Sequence, residues 1–387
     1  MNNFKMKGGG KMRKTSIVML LILLSVVLVS STAFAISGVC SNCHTMHNSQ
    51  NGLGEVQTYA GGTIISNVTT PQQYLLKASC IACHAGATGQ TNSFSAPIVV
   101  HTTAPTAQGG TYTLAGGDFN WVATGLGAID SKGHNVAGLA AADVAITPAD
   151  TPPGWDFAAT TGFTFGQVGN SGDWTNQLTC AGQYGCHGSH GATGGITGAH
   201  HGNTGGTATQ AGLAGAPTTI GSSYRFLAGI RGLEQSQWNW NESASSHNEY
   251  FGVDSPANRD QASVTYANKD TISFSCAECH GFFHSRIDDT TAGTSPWLRH
   301  PTDIALKGTG EYTNYTAYST QAPVARPTVY GSSNGTVAPG VDIVMCLSCH
   351  RAHGSPEPDL LRWTYSSMVA GGGGSDTGCF TCHTSKN

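Results

Sequence analysis

Apolar positions cluster only at short range along this chain. One sustained apolar run, Ile17–Val29, is too short to span a bilayer. It follows a basic start (Lys5, Lys7, Lys11, Arg13, Lys14) and precedes Ala33-Phe34-Ala35, the small-residue pattern of a cleavage site. Residues 1–35 are expected to be a cleaved signal peptide, and 36–387 a single domain. Past the leader, neither helical nor alternating periodicity persists. Gly, Thr, Ser and Ala fill the chain; the stretch 188–215 holds 10 glycines in 28 residues and reads as coil. No repeat of fixed period is visible. The pattern predicts mostly irregular coil with short helices and little sheet.

Composition sharpens the problem. Only 39% of residues are hydrophobic and 52 are glycine, whereas a domain of this length ordinarily buries a large aliphatic core. Something other than aliphatic side chains is expected to fill the interior. With the five basic residues of the leader removed, 13 basic and 22 acidic side chains remain, formally −9. That balance argues against nucleic acid or an anionic membrane as partner.

The cysteines supply the missing filler. All 12 fall into pairs, and five pairs read C-x-x-C-H: Cys40–Cys43–His44, Cys80–Cys83–His84, Cys276–Cys279–His280, Cys346–Cys349–His350 and Cys379–Cys382–His383. The remaining pair is stretched, Cys180 to Cys186 followed by His187, with Gly182 and Gly185 to allow a bulged loop. C-x-x-C-H is the attachment signature of c-type haem: two thiols bond the porphyrin edge and the next imidazole lies under the iron. With 16 histidines in 387 residues, five such matches arise by chance about once in ten million. Zinc ribbons do not require the histidine, and six small disulfide rings in one chain would be odd. A local Cys180–Cys186 disulfide is the alternative at the stretched pair. The reading is a multihaem cytochrome c with six haem c groups, covalently attached, whose stacked haems form the core. About 59 residues per haem are available to wrap it.

Ten further histidines could complete the irons. His47, His190, His353 and His284 follow their motifs by three or four residues. A histidine so placed sits on the same side as the motif histidine. It cannot reach the far face of its own iron, so as a ligand it would serve a neighbouring haem. His134, His300 and the less distinctive His101 are also expected as ligands. His200, His201 and His247, in glycine- or serine-rich chain, are read as ordinary solvated or hydrogen-bonded residues. Met46, Met345 and Met368, the methionines left after the leader, are too few for general His/Met ligation. Imidazole on both faces leaves no open position, which suits electron transfer rather than substrate chemistry. No Ser–His–Asp arrangement, phosphate loop or dinucleotide fingerprint stands out, and no catalytic residues are expected. The seven tryptophans read as packing or surface anchors.

The flanking strings carry a resemblance. G-V-C-S-N-C-H-T-M-H-N-S (38–49), C-I-A-C-H (80–84), G-G-D-F-N-W-V (116–122), K-G-H-N (132–135), Y-R-F-L-A-G (224–229), L-R-H-P (298–301), C-L-S-C-H-R-A-H (346–353) and the terminal C-F-T-C-H run in order along nearly the whole exported chain. In these the chain resembles the filament-forming hexahaem outer-surface cytochromes of metal-reducing bacteria, the OmcS type. It departs from them at the stretched third motif and in the glycine-rich segment after it. The resemblance implies bis-histidine haems stacked along a homopolymer, with His47 ligating a haem of the adjacent subunit. It implies extracellular electron transfer to acceptors such as metal oxides or other cells, fed by periplasmic or outer-membrane cytochromes. The alternatives are a monomeric periplasmic or surface carrier and, further off, a multihaem reductase.

Overall fold

The computed structural model describes residues 39–386, apart from 95, 104, 106–114, 124–129, 147–149, 156–173, 175, 189–199, 201–223, 228, 234–241, 256–267, 282, 284–299, 330–331 and 373–376. All described residues belong to the compact unit Ala35–Asn387. Regular structure comes in small pieces, as the sequence pattern predicts. The longest described helix is Ile272–Ala277 and the longest strand Thr63–Val68. Thr271 starts that helix, its hydroxyl accepting from the Phe274 amide at 3.1 Å. Ser79 caps the single turn Cys80–Cys83 in the same way, at 3.2 Å from the Ala82 amide.

Five of the six motifs build one closed turn. The histidine amide returns to the carbonyl of the first cysteine: His44 to Cys40 at 2.8 Å, His84 to Cys80 at 3.0, His280 to Cys276 at 2.9, His350 to Cys346 at 3.1 and His383 to Cys379 at 3.0. That bond spans four residues, so both thiols and the imidazole gather on one turn. The stretched motif forms a loop instead. Thr179–Ala181 and Gly185–His187 pair in parallel, and Gly182, at φ +89°, makes the bend. Its amide donates to the His187 carbonyl at 3.0 Å. All twelve cysteines, Cys180 and Cys186 included, are free of disulfides.

A five-stranded sheet lies in the C-terminal half. Its strand order is Ile304–Ala305, Ile343–Val344, Ala325–Arg326, Glu249–Phe251 and Gly232–Leu233. All contacts are antiparallel except Glu249–Phe251 with Ala325–Arg326, where Tyr250 sits beside Ala325. Four strand pairs lie outside it, the longest Val56–Ala60 with Thr63–Val68. The described apolar residues form four separate small clusters rather than one aliphatic core. Trp155, Trp174 and Trp363 are buried in packing roles, Trp155 and Trp174 edge to face at 5.3 Å. Trp238, Trp240 and Trp297 lie outside the described residues. Among the described residues no helix is long and apolar enough to cross a membrane.

Candidate metal centres

Each motif histidine has its Nδ1 anchored. Five Nδ1 atoms meet backbone carbonyls: His44 that of Tyr74 at 2.9 Å, His84 Pro97 at 2.9, His187 Arg225 at 2.8, His280 Pro153 at 2.6 and His350 Asp359 at 2.7. The sixth, His383, meets the Glu311 carboxylate at 3.2 Å. An Nδ1–H held by an acceptor fixes the ring's tautomer and orientation and leaves the Nε2 lone pair for a metal.

A hidden repeat underlies three of these anchors. At the first, third and fifth motifs the accepting residue opens a pair of left-handed residues: Tyr74-Leu75 (φ 59° and 57°), Arg225-Phe226 (53° and 58°) and Asp359-Leu360 (58° and 58°). A leucine follows each pair, and Leu76 and Leu361 bridge back to His44 and His350, while Leu227 bridges Gly188. The strings Q-Y-L-L, Y-R-F-L and P-D-L-L are too unlike, and too unevenly spaced from their motifs, for a fixed-period search to detect. Left-handed non-glycine residues cost energy and persist only where the surroundings hold them.

Four motif histidines stand opposite a second histidine. Ring centres are 6.0 Å apart for His84 and His200, 6.1 for His280 and His134, 6.3 for His187 and His353, and 6.3 for His383 and His300. An imidazole nitrogen binds a transition metal at about 2 Å. Two rings facing one iron through their nitrogens are then roughly 6 Å apart at their centres. His134 and His300 show the same anchoring as the motif rings, Nδ1 to the Ala352 carbonyl at 2.6 Å and to the Pro301 carbonyl at 2.9. Among the described residues no three His, Cys, Asp or Glu donors converge on one point. The imidazoles come in close pairs, and haem iron takes two ligands, one on each face. Haem therefore fits these residues.

His353 faces His187 of the third motif rather than His350 of its own. His200, read from sequence as a bystander, has its ring centre 6.0 Å from that of His84. His101, expected as a ligand, is held by other groups. This ring is buried, with Nδ1 2.5 Å from Asp118 and Nε2 3.1 Å from the Gly89 carbonyl. Both ring nitrogens therefore lie within hydrogen-bond distance of an oxygen. His247 is held similarly, between the Ser243 carbonyl at 2.9 Å and Glu249 at 3.0. His47 is exposed, and among the described residues no histidine ring faces it or His350. His190, His201 and His284 lie outside the described residues.

Close backbone packing sets two of the facing rings. The segments around Gly117, Gly133 and Gly354 bridge one another. The His353 amide donates to the Gly116 carbonyl at 2.7 Å and the His134 amide to the His353 carbonyl at 3.2. A Cβ on Gly117, at φ +84°, would sit 2.0 Å from the Gly354 oxygen, so only glycine fits. The His353 ring stacks on Phe119 at 4.6 Å. The three quoted strings G-G-D-F-N-W-V, K-G-H-N and C-L-S-C-H-R-A-H meet in this one knot.

Burial keeps these rings neutral. It lowers His84, His134, His187 and His350, takes His280 down to about 4 with the neighbouring His134 adding to the effect, and takes His353 to about 3 with His187 adding. The neutral form is the ligand form. Burial also raises the thiols, Cys83 to about 12, Cys186 to about 11 and Cys349 to about 12. Such cysteines are poor thiolates at neutral pH.

The thiols also record which motifs are neighbours. Cys43 acts electrostatically on Cys83, and Cys80 and Cys180 share a hydrogen bond that lowers the first and raises the second. Cys186 acts on Cys279, Cys276 is raised by its hydrogen bond with Cys346, and Cys382 acts on Cys349. The thiols of each motif thus influence those of the next in chain order, from first to sixth.

Known proteins share parts of this sequence. The doubled CXXCH motif family matches residues 339–387. The C-type cytochrome OmcS of Geobacter sulfurreducens is 28% identical over 397 residues, covering 91% of this chain and 86% of that protein. Two solved structures, the Outer Membrane Cytochrome S filament and the OmcS nanowires of the same organism, are each 20% identical. They cover 86% and 85% of this chain and 85% and 84% of theirs, with TM-scores of 0.39 and 0.40. The chain is OmcS-like along most of its length, as its flanking strings indicate.

Proposed function

We propose that this chain is an electron-transfer protein carrying six covalently attached c-type haems, and that it polymerises into an extracellular conductive filament. The observation that carries the reading is the set of four facing imidazole pairs at 6.0–6.3 Å, each with a motif ring anchored through Nδ1. When bound, haem supplies a one-electron iron couple. The residues do the rest. The paired thiols would fix each group, and a second imidazole beside each motif ring would leave substrates no open position at the iron. The electrostatic influence of each motif's thiols on those of the next is consistent with transfer from each group to its neighbour.

In this reading His84 pairs with His200, His187 with His353, His280 with His134 and His383 with His300. His350 is left for the exposed His47 of a neighbouring copy, and His44 for one of His190, His201 and His284. The exported chain begins near residue 36, so His47 lies on an end free to reach across an interface. Export of 36–387 places the filament outside the cell, where metal oxides or other cells accept its electrons.

Mass spectrometry of the secreted protein is expected to show six haem additions on a chain starting near residue 36. All should be low-spin by absorption. His200→Ala should convert one haem of the six to high-spin, and no such change would remove His200 from the ligand set. His47→Ala should abolish filaments under the electron microscope and leave one ligand missing. Normal filaments from that variant, or discrete particles from the unaltered protein, would overturn the polymer.

A further inference from the structure

The sixth motif differs from the other five in what holds its imidazole. Five rings donate to backbone carbonyls, which are neutral dipoles. His383 meets a carboxylate, Glu311 Oε1 at 3.2 Å. The carboxylate is aimed by its surroundings. Its second oxygen accepts from the Ser385 hydroxyl at 2.7 Å, and the Glu311 backbone carbonyl accepts from the Thr384 hydroxyl at 2.5 Å. Thr384 also accepts from Asn314 at 3.1 Å, and the Tyr312 ring lies edge-on to His383 at 5.2 Å. The short helix Gly310–Asn314 thus clamps the three residues that follow Cys382. No local string marks this clamp, because 72 residues separate Glu311 from His383.

We infer that Glu311 is a positioning residue that makes the sixth iron harder to reduce than its carbonyl-anchored equivalents. This rests on haem being bound as proposed above. A carboxylate on the outer N–H draws the proton away from the ring and pushes electron density toward the inner nitrogen. A more basic ligand favours the ferric iron over the ferrous, which carries one electron more and one positive charge less. Removing the carboxylate charge while keeping an acceptor oxygen removes that bias. The effect is expected at one site, since the Nδ1 atoms of the other five motif histidines meet backbone carbonyls.

The sixth site also carries its own label. Its two rings are crossed at 82°, whereas the other three pairs lie at 43°, 44° and 51°. Near-perpendicular axial rings give a low-spin ferric signal of greater anisotropy in electron paramagnetic resonance. The test compares the haem-loaded protein with Glu311→Gln, titrated with dithionite and ferricyanide while absorption and resonance spectra are recorded. One component of six is expected to move to higher potential, the one that erases the most anisotropic signal, with five unmoved. Glu311→Asp keeps the charge but withdraws it by one methylene, so the same component should move less. A titration identical to the parent, or six components moving together, overturns the inference. Absence of six low-spin haems in the parent would sink the underlying proposal instead, so the two failures are distinguishable.

Discussion

At the first, third and fifth motifs the carbonyl that receives the imidazole belongs to a left-handed residue in a leucine-ended turn. At the second and fourth it belongs to a proline, Pro97 or Pro153, and at the sixth a side chain replaces it. All six devices orient a ring, yet they differ in cost. A non-glycine residue in the left-handed region costs about 1–2 kcal/mol, and each odd-numbered turn has two of them. A proline carbonyl arrives on backbone that is already restricted. The odd sites therefore draw on their surroundings for strain that the even sites avoid. An anchor can recur in geometry without recurring as a string.

The largest expected effect comes from breaking an odd and an even site together. Gly117→Val would thrust a side chain into the Gly354 carbonyl at a φ of +84°. A loss of roughly 3 kcal/mol or more is expected from strain and overpacking combined. The knot seats His353 opposite His187 and His134 opposite His280. Third- and fourth-motif haems should therefore turn high-spin in the same variant, as absorption would show. Loss at only one of them would mean that the two sites are seated independently.

A smaller pair of changes sharpens the contrast by sign. Leu75 is 51% exposed and left-handed, so Leu75→Gly gives up little packing. Relief of strain, less the entropy that glycine adds to the unfolded chain, should stabilise by about 0.5–1 kcal/mol. Pro97→Ala at an even site should destabilise by about 0.4–1 kcal/mol, through the freedom that it restores to the unfolded chain. Thermal midpoints moving in opposite directions would support the distinction between the two kinds of anchor.

Much of this site was legible because attachment chemistry fixes covalent spacing. Six pairs of cysteines, each pair followed by a histidine, are local strings, and the turn that most of them form is local too. The scarcity of regular structure was equally local, written in glycine and short polar residues. Partners across the iron were another matter. His200 sits in glycine-rich chain with nothing beside it to mark the nearby His84, and nothing beside His101 in sequence marks Asp118 and Gly89 as the neighbours of its two nitrogens. Those outcomes depend on residues brought together from far along the chain. The close backbone contacts at Gly117, Gly133 and Gly354 are of the same kind: the strings containing them were noticeable, but their meeting was not.

The smallest expected effect concerns the sheet that joins two odd sites. Arg225 of the third-motif turn donates to Asn248 at 2.8 Å, and strand Ile343–Val344 leads into Cys346 of the fifth. Between them lies a buried group: Arg326 donates to Glu249 at 3.1 Å and to Asp342, and Glu249 also meets His247 and the Asn334 amide. Burial alone would raise the Glu249 carboxyl. His247, the Asn334 amide and Arg326 outweigh that and hold it below its ordinary 4.5. A carboxylate lowered in the folded state contributes stability above its unfolded value and loses it as pH falls through the folded one. Asp342 runs the other way. Burial, ahead of the Ala338 amide and Arg326, holds it above 3.8, so protonating it relieves a cost and offsets part of the loss. Stability should therefore hold from neutral pH to the ordinary glutamate value near 4.5 and decline modestly below it. Denaturant midpoints of the parent and Glu249→Gln, measured down to about pH 3, test this. The variant starts lower and should fall less steeply; parallel acid limbs would show that Glu249 is not the group responsible.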